Sequence, residues 1–395
     1  MAEAFLVGGA RTPVGRYGGV LSSIRADDLA ALVVAEAIAR AGVDPALVDE
    51  VILGGANQAG EDNRNVARMA ILLAGLPDHI PGITVNRLCA SGLSAITMAA
   101  QAIRSGDADV IVAGGVESMT RAPWVQAKPE KAFARPGAQF DTSIGWRFTN
   151  PRLAARDKAT FSMPETGEEV ARVENISRAD ADAFALRSHH RAIAAIDAGR
   201  FDDEIVAVPT GAGAVTLDEG PRRDTSIEML AALRPVVSGG SVVTAGNSSA
   251  LNDGASAIVV ASGEAVARLG LVPRARIVVG ASVGVAPEVM GMGPVPATIK
   301  ALDRAGLSVS DIGSVELNEA FATQSLGVIR RLGLDIDRVN ADGGAIALGH
   351  PLGSSGSRLV VTLLGRMPRE DTRYGLATMC VGVGQGSALV VEAVR

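Results

Sequence analysis

Cysteine, histidine and aromatic side chains are all scarce in this chain: of 395 residues two are Cys and four are His, and Phe, Trp and Tyr together make up 3%. Two cysteines cannot supply a disulfide framework, and no Cys/His cluster has zinc-ligand spacing, so neither crosslinks nor a structural metal is expected. Nowhere do about 18 apolar residues run together, and Met1-Ala2-Glu3-Ala4-Phe5-Leu6-Val7 lacks the basic start and long apolar core of a secretion signal. The expectation is a soluble, cytoplasmic protein with no membrane partner. Positive charge is not in excess either. With 37 Lys and Arg against 43 Asp and Glu, the net charge is −6, and no basic patch with interleaved aromatics is present, which argues against nucleic acid. What the chain does have is apolar residues, 48% of the total with mean hydropathy +0.26, enough for two or three packed domains.

Cys89 lies in Val85-Asn86-Arg87-Leu88-Cys89-Ala90-Ser91-Gly92, and Cys380 in Leu376-Ala377-Thr378-Met379-Cys380-Val381-Gly382-Val383-Gly384-Gln385-Gly386. A free cysteine is more often a small buried hydrophobe than a reagent. Position shifts that balance for Cys89. Strand-like Ile83-Thr84-Val85 leads into it, and Leu93, Ile96, Ala100 and Ile103 follow at helical spacing, which places it at a helix N-terminus. There the helix dipole and unpaired N–H groups favour a thiolate, the nucleophilic form. Among the histidines, His189-His190 falls in a helical stretch, Ala183 to Ala198, and His79 between Pro77 and Pro81 reads as a loop residue. His350 is the one whose surroundings ask for a chemical role. Gly382, Gly384 and Gly386 fit G-x-G-x-G, but strand-like Ala388-Leu389-Val390-Val391 follows where a dinucleotide loop would open a helix. Close backbone approach around Cys380 explains these glycines better.

An internal repeat suggests how distant residues could meet. Arg40-Ala41-Gly42 through Val51 aligns without gaps against Arg304-Ala305-Gly306 through Val315, each ending a helix at Ala-Gly and entering a strand. Val85-Asn86 before Cys89 corresponds to Val339-Asn340, after which Gly343-Gly344-Ala345 and His350-Pro351-Leu352-Gly353 precede a helical stretch, Ser357 to Leu364. Apolar strands, Val110 to Ala113 and Leu376 to Met379, close the two units. Two copies of one α/β unit packed about a pseudo-twofold axis would bring equivalent loop ends together. The stretch between them holds both tryptophans and six of the eight phenylalanines, and reads as a loop-rich insert covering the site or a subunit contact.

Five motifs stand in order: Asn86-Arg87-Leu88-Cys89-Ala90-Ser91-Gly92; Val243-Thr244-Ala245-Gly246-Asn247-Ser248-Ser249 with Asn252-Asp253-Gly254; Asn318-Glu319-Ala320-Phe321; Gly343-Gly344-Ala345 through Gly349-His350-Pro351-Leu352-Gly353; and Cys380-Val381-Gly382. On these the chain resembles the thiolase family over essentially its full length. The resemblance implies an α/β fold of duplicated αβαβα layers, two βαβαβαββ halves with an inserted loop domain. Residues 1–119 and 246–270 would form the N-terminal half, 120–245 the insert and 271–395 the C-terminal half. It implies Cys89 as nucleophile and acyl carrier, with His350 as its base. His350 and a water held by Asn318 would form one oxyanion hole, the backbone N–H groups of Cys89 and Gly382 the other, and Cys380 would protonate the departing enolate. Arg222 would lie by the nucleotide end of CoA and Ser249 by its pantetheine arm, with Met163 and Met290 lining the acyl pocket. CoA is then a co-substrate, no cofactor is permanently bound, and the protein is a homo-oligomer, a dimer or a dimer of dimers.

Local forms point within the family. Ser162-Met163-Pro164-Glu165-Thr166, Cys380-Val381-Gly382-Val383-Gly384, Gly60-Glu61-Asp62-Asn63-Arg64-Asn65-Val66-Ala67-Arg68 and Ile144-Gly145-Trp146-Arg147-Phe148 resemble the 3-oxoadipyl-CoA thiolases of aromatic-compound catabolism. A β-oxidation 3-ketoacyl-CoA thiolase, an acetoacetyl-CoA thiolase, a decarboxylating β-ketoacyl synthase and a non-catalytic acyl-CoA carrier are the alternatives. A 3-oxoadipyl group carries a terminal carboxylate that loses water on entering a pocket and needs a compensating charge, for which Arg121, Lys128, Arg147 and Lys158 are candidates.

Overall fold

In the computed structural model, which describes residues 2–394, the N-terminal half runs β1 (Ala4–Arg11), α1 (Ala26–Ala41), β2 (Glu50–Gly54), α2 (Val66–Leu73), β3 (Gly82–Val85), α3 (Ser91–Ser105) and β4 (Val110–Ser118). A long excursion carrying α4 (Met163–Val173) and α5 (Arg178–Asp197) follows before β5 (Asn252–Ser262). The C-terminal half runs β6 (Ala275–Gly284), α6 (Pro294–Ala305), β7 (Ile312–Leu317), α7 (Ala322–Leu332), α8 (Leu352–Arg369), β8 (Tyr374–Val381) and β9 (Gln385–Ala393).

The halves follow one plan. In the first, β2 pairs in parallel with β3 and β4, and β4 is antiparallel to β5. In the second, β7 pairs in parallel with β8, β8 is antiparallel to β9, and a parallel bridge from Val315 to Val339 stands where β3 stands in the first. The repeat read in the sequence is a structural one: α1 and α6 end on Gly42 (φ 67°) and Gly306 (φ 66°), left-handed caps that glycine adopts without strain. A 3-10 turn, Pro45–Leu47 or Val309–Asp311, then leads into the strand. The two lobes join edge to edge into one sheet of ten strands, with β1 and β6 sharing only the pairs Phe5–Arg276 and Leu6–Ala275.

Five layers result. Helix α1 and residues of α2 cover the outer face of the first lobe, with Leu29, Val33, Val34 and Ile71 fully buried. Helices α6 and α7 cover the second, and α3 with α8 fills the space between, where Leu93, Ile96, Ile103, Leu359 and Leu363 meet Ile111, Ile258, Met379 and Leu389. Each such side chain contributes about 1.5–3 kcal/mol on burial. The two middle helices touch backbone to backbone: a Cβ on Gly356 would come within 2.3 Å of the Leu93 nitrogen, and one on Gly92 within 2.7 Å of the Gly353 carbonyl oxygen. Residues 120–245 carry more regular structure than a loop-rich reading allows. Helix α5 is 20 residues long and packs Ala181, Phe184 and Ala185 against the second lobe, because apolar residues recur along one face of an otherwise polar segment. The G-x-G run at Gly382 forms the turn of the β8–β9 hairpin, with Val383 and Gly384 at positive φ.

Candidate active site

Three loop ends converge where the lobes meet. The first joins β3 to α3 and carries Cys89. Leu88, just before it, is held at φ 47°, a left-handed conformation that costs a non-glycine residue about 1–3 kcal/mol. The turn is braced by Asn86, whose Oδ1 accepts from the Leu88 N–H at 2.8 Å and whose Nδ2 donates to the Ala56 carbonyl at 2.9 Å. Cys89 is half-buried. The sequence placed it where a helix end should favour the thiolate, but the protein packed around its sulfur pushes the thiol above its ordinary value. Backbone N–H groups of Gly382 and of Cys89 itself pull the other way, and the Glu117 carboxylate adds to the rise.

The second loop precedes α8 and carries His350. Gly349 before it sits at φ 115°, and a Cβ there would lie 2.6 Å from the Asn252 side chain, so only glycine fits. Asn252 in turn accepts the His350 backbone N–H at 2.9 Å. The ring is 5% exposed. Its Nδ1 lies 2.6 Å from Ser355 Oγ, and that hydroxyl donates its proton to the Pro351 carbonyl at 2.9 Å. With the Ser355 proton assigned to that carbonyl, the hydroxyl offers Nδ1 a lone pair, an assignment that puts the imidazole proton on Nδ1 and leaves Nε2 bare. Asn318 Nδ2 faces Nε2 at 3.4 Å, as a donor to a bare nitrogen should. Burial, aided by the Arg358 guanidinium, pushes the imidazole down to about 3, so it rests neutral and able to accept a proton.

Cys380 ends β8 on the third. It is 1% exposed, and burial, followed by the charge of nearby Cys89, pushes its thiol well above the ordinary range. Around it cluster Met290, Val243, Ala320 and Phe321, with Met163 packed against them. Met163 Sδ also lies 3.8 Å from where a Cβ on Gly382 would stand. Ser249 is tied to the Asn318 loop, its N–H and Oγ both donating to the Ala320 carbonyl at 3.0 and 3.2 Å. Arg222 is exposed, and its own N–H donates to His189 Nδ1 at 3.2 Å. The neighbouring Gly220 packs on Ala347 and Leu348, just before His350.

Sequence reasoning missed Glu117. Buried at the end of β4, it accepts backbone N–H groups from Ala56 (3.0 Å), Asn57 (3.2 Å) and Gly353 (2.9 Å), so it ties the first lobe to the start of α8. Burial raises this carboxyl to about 7. Its signal was an acid closing the otherwise apolar run Val110 to Val116. Ser355 was missed too, and Asn252 and Asn340 were read only as a motif and a repeat position, with no role given. Asn340 Nδ2 donates to Glu319 Oε1 at 2.8 Å, fixing the loop that carries Asn318.

A half-buried thiol at a strained turn, a neutral imidazole facing an amide, a second, buried thiol and converging backbone N–H groups define a cysteine-dependent acyltransferase built on a duplicated α/β fold. The chain belongs to the thiolase family: Thiolase, N-terminal domain matches residues 4–264 and Thiolase, C-terminal domain matches residues 271–393. It is 55% identical over all of both chains to the 3-oxoadipyl-CoA/3-oxo-5,6-dehydrosuberyl-CoA thiolase of Escherichia coli K12. It is also 55% identical, over 99% of each chain, to the β-ketoadipyl-CoA thiolase of Pseudomonas aeruginosa. Among solved structures, human mitochondrial 3-ketoacyl-CoA thiolase in complex with CoA superposes with TM-score 0.93 at 39% identity, covering 100% of this chain and 99% of that one. The layered α/β fold implied by the motifs is the one found.

Proposed function

We propose that the chain catalyses thiolysis of 3-oxoadipyl-CoA by CoA, giving succinyl-CoA and acetyl-CoA through an acyl-cysteine. What supports the mechanism is the arrangement around Cys89, whose sulfur is met by the Gly382 and Cys89 N–H groups, and the pairing of His350 Nε2 with the Asn318 amide at 3.4 Å. Cys89 Sγ attacks the C3 keto carbon as its proton passes to His350 Nε2. Imidazolium and the Asn318 site then face the new alkoxide. Asn318 Oδ1, buried without a protein partner, is suited to hold a water there. Collapse breaks the C2–C3 bond, the acetyl-CoA enolate takes the Cys380 proton, and succinyl remains on Cys89. CoA next gives its thiol proton to the Cys380 thiolate and attacks the acyl group. The Cys89 and Gly382 N–H groups hold the thioester oxyanion, and the released Cys89 recovers its proton from His350. The kinetics are ping-pong.

Met163 and Met290 line the acyl side of this chemistry, and Ser249 the pantetheine arm. Arg222, together with Arg16, meets CoA phosphate; burial, with a smaller push from these two cations, holds the adjacent His189 down to about 4. The choice of acyl group rests on the relatives, whose names specify acyl groups with a carboxylate at the far end. A cytoplasmic homo-oligomer acting in aromatic-compound catabolism completes the reading. Comparing kcat/KM for 3-oxoadipyl-CoA with that for 3-oxohexanoyl-CoA, equal in chain length but uncharged, tests it. A preference of at least about tenfold is expected for a charge-assisted contact. Equal rates would leave a general 3-ketoacyl-CoA thiolase of β-oxidation.

A further inference from the structure

The four cations that could meet a substrate carboxylate are sorted by their partners. Arg121 is committed to Glu61, with contacts of 2.5 and 2.6 Å, and Lys158 to Glu169 at 3.0 Å. Lys128 is exposed on the surface, where water serves it. Arg147 is different. It is half-buried, and its hydrogen bond, at 3.2 Å, goes to the neutral Oδ1 of Asn57; among the described residues no carboxylate is ion-paired with it. A guanidinium partly withdrawn from water with only an amide for company keeps most of its five donors for an incoming anion.

Two anchors fix where that guanidinium stands. Asn57 belongs to the turn that also touches the nucleophile loop: Ala56 accepts from the Asn86 side chain at 2.9 Å, and the Asn57 N–H reaches Glu117 at 3.2 Å. Asn57 is itself clamped, its Nδ2 donating to the Thr142 carbonyl and hydroxyl at 3.1 and 3.0 Å. On its other side, Trp146 Nε1 meets the Phe161 carbonyl at 3.5 Å, two residues before Met163 of the Cys380 cluster. Phe148, at φ 51°, packs edge-on against Phe140 with centroids 5.2 Å apart and holds the turn. Arg147 is thus carried on a braced turn tied on one side, through Asn57 and Ala56, to the Asn86 turn of the Cys89 loop, and on the other, through Trp146, to the chain two residues before Met163. The carboxylate of a 3-oxoadipyl group lies only three carbon–carbon bonds beyond the carbon that Cys89 attacks.

We propose that Arg147 is the residue that selects a dicarboxylic acyl group, its guanidinium receiving the substrate's terminal carboxylate while Asn57 keeps the fork oriented. This rests on the reading of the substrate given above, and the test separates the two. The ratio of kcat/KM on 3-oxoadipyl-CoA to that on 3-oxohexanoyl-CoA is measured for the wild-type enzyme, Arg147→Met and Arg147→Lys. The expected result is a wild-type ratio of about ten or more that falls close to one in Arg147→Met, with the loss concentrated in KM, and is partly recovered in Arg147→Lys. A wild-type ratio near one overturns the substrate reading itself. A high wild-type ratio that persists in Arg147→Met overturns the assignment to Arg147 alone. Equal losses on both substrates in Arg147→Met would mean that the residue only holds the turn, and would overturn it too.

Discussion

Replacing Ser355 by alanine tests how the base is prepared. The tautomer drawn for His350 assigns the Ser355 proton to the Pro351 carbonyl at 2.9 Å, so that toward Nδ1, 2.6 Å away, the hydroxyl accepts. Without it, the Nδ1 proton faces a methyl group in a site where Ser355 is 1% exposed and water cannot take its place. A buried donor left without a partner costs about 1–3 kcal/mol, and a factor of ten in population corresponds to about 1.4 kcal/mol. The ring escapes that cost by moving its proton to Nε2, the nitrogen that must accept from Cys89. Ser355→Ala should therefore lower kcat by about tenfold or more while KM for 3-oxoacyl-CoA stays within about twofold, since no substrate contact has been removed. Steady-state thiolysis at saturating CoA measures the loss. Imidazole 15N shifts, tractable with four histidines in the chain, report which nitrogen holds the proton. Unchanged kcat, or a wild-type ring already protonated on Nε2, would refute the reasoning.

Cys89→Ala should abolish both thiolysis and acyl exchange, and mass spectrometry of the quenched wild-type enzyme should find the acyl group on Cys89; an acyl group on Cys380 would reverse the two roles. Cys380→Ser should still accept an acyl group from a reactive thioester yet turn over at least about a hundredfold more slowly, the scale of a lost general acid, and near wild-type turnover would remove Cys380 from the mechanism. His350, pushed down to about 3, should show no NMR titration between pH 5 and 8. In the unfolded chain the same ring takes up a proton near 6.5, so it binds more protons than the native ring, and its contribution makes stability fall as pH drops from about 6.5 toward 3. Denaturant midpoints measured across that window check the sign. Gly356→Ala would drive a methyl against the Leu93 nitrogen, 2.3 Å away, and should lower the thermal midpoint; an unchanged Tm would mean that the middle helices can separate at no cost.

Much of this was legible in the chain because the residues that matter are local and repeated. The Ala-Gly helix ends at Gly42 and Gly306, the strands after them, and the loops before α3 and α8 could be read from short-range pattern, and the family motifs carried Cys89, His350, Asn318, Cys380 and Gly382. What escaped depends on neighbours far away in sequence. Glu117 has meaning only once Gly353 docks on it, Asn57 only once Arg147 does, and the edge joining β1 to β6 leaves no compositional mark. The direction of the Cys89 shift was misread for the same reason. A helix terminus is visible locally, whereas the burial that outweighs it, with the Glu117 carboxylate adding to the rise, exists only in the folded protein.

The division of the site between lobes bears on synthesis. The turn that carries Cys89 is complete early in the chain, but the Asn318 amide, the His350 ring and the Gly382 N–H belong to residues made near the end. While the N-terminal half stands alone on the ribosome, its one cysteine has neither the His350 ring nor the Gly382 N–H that the proposed mechanism gives it. On the mechanism proposed above, reactivity would appear only when the second lobe closes against α3. A chain truncated before α8 would carry a nucleophile that had never been armed, and cellular acyl thioesters would meet no competent cysteine until the protein was whole.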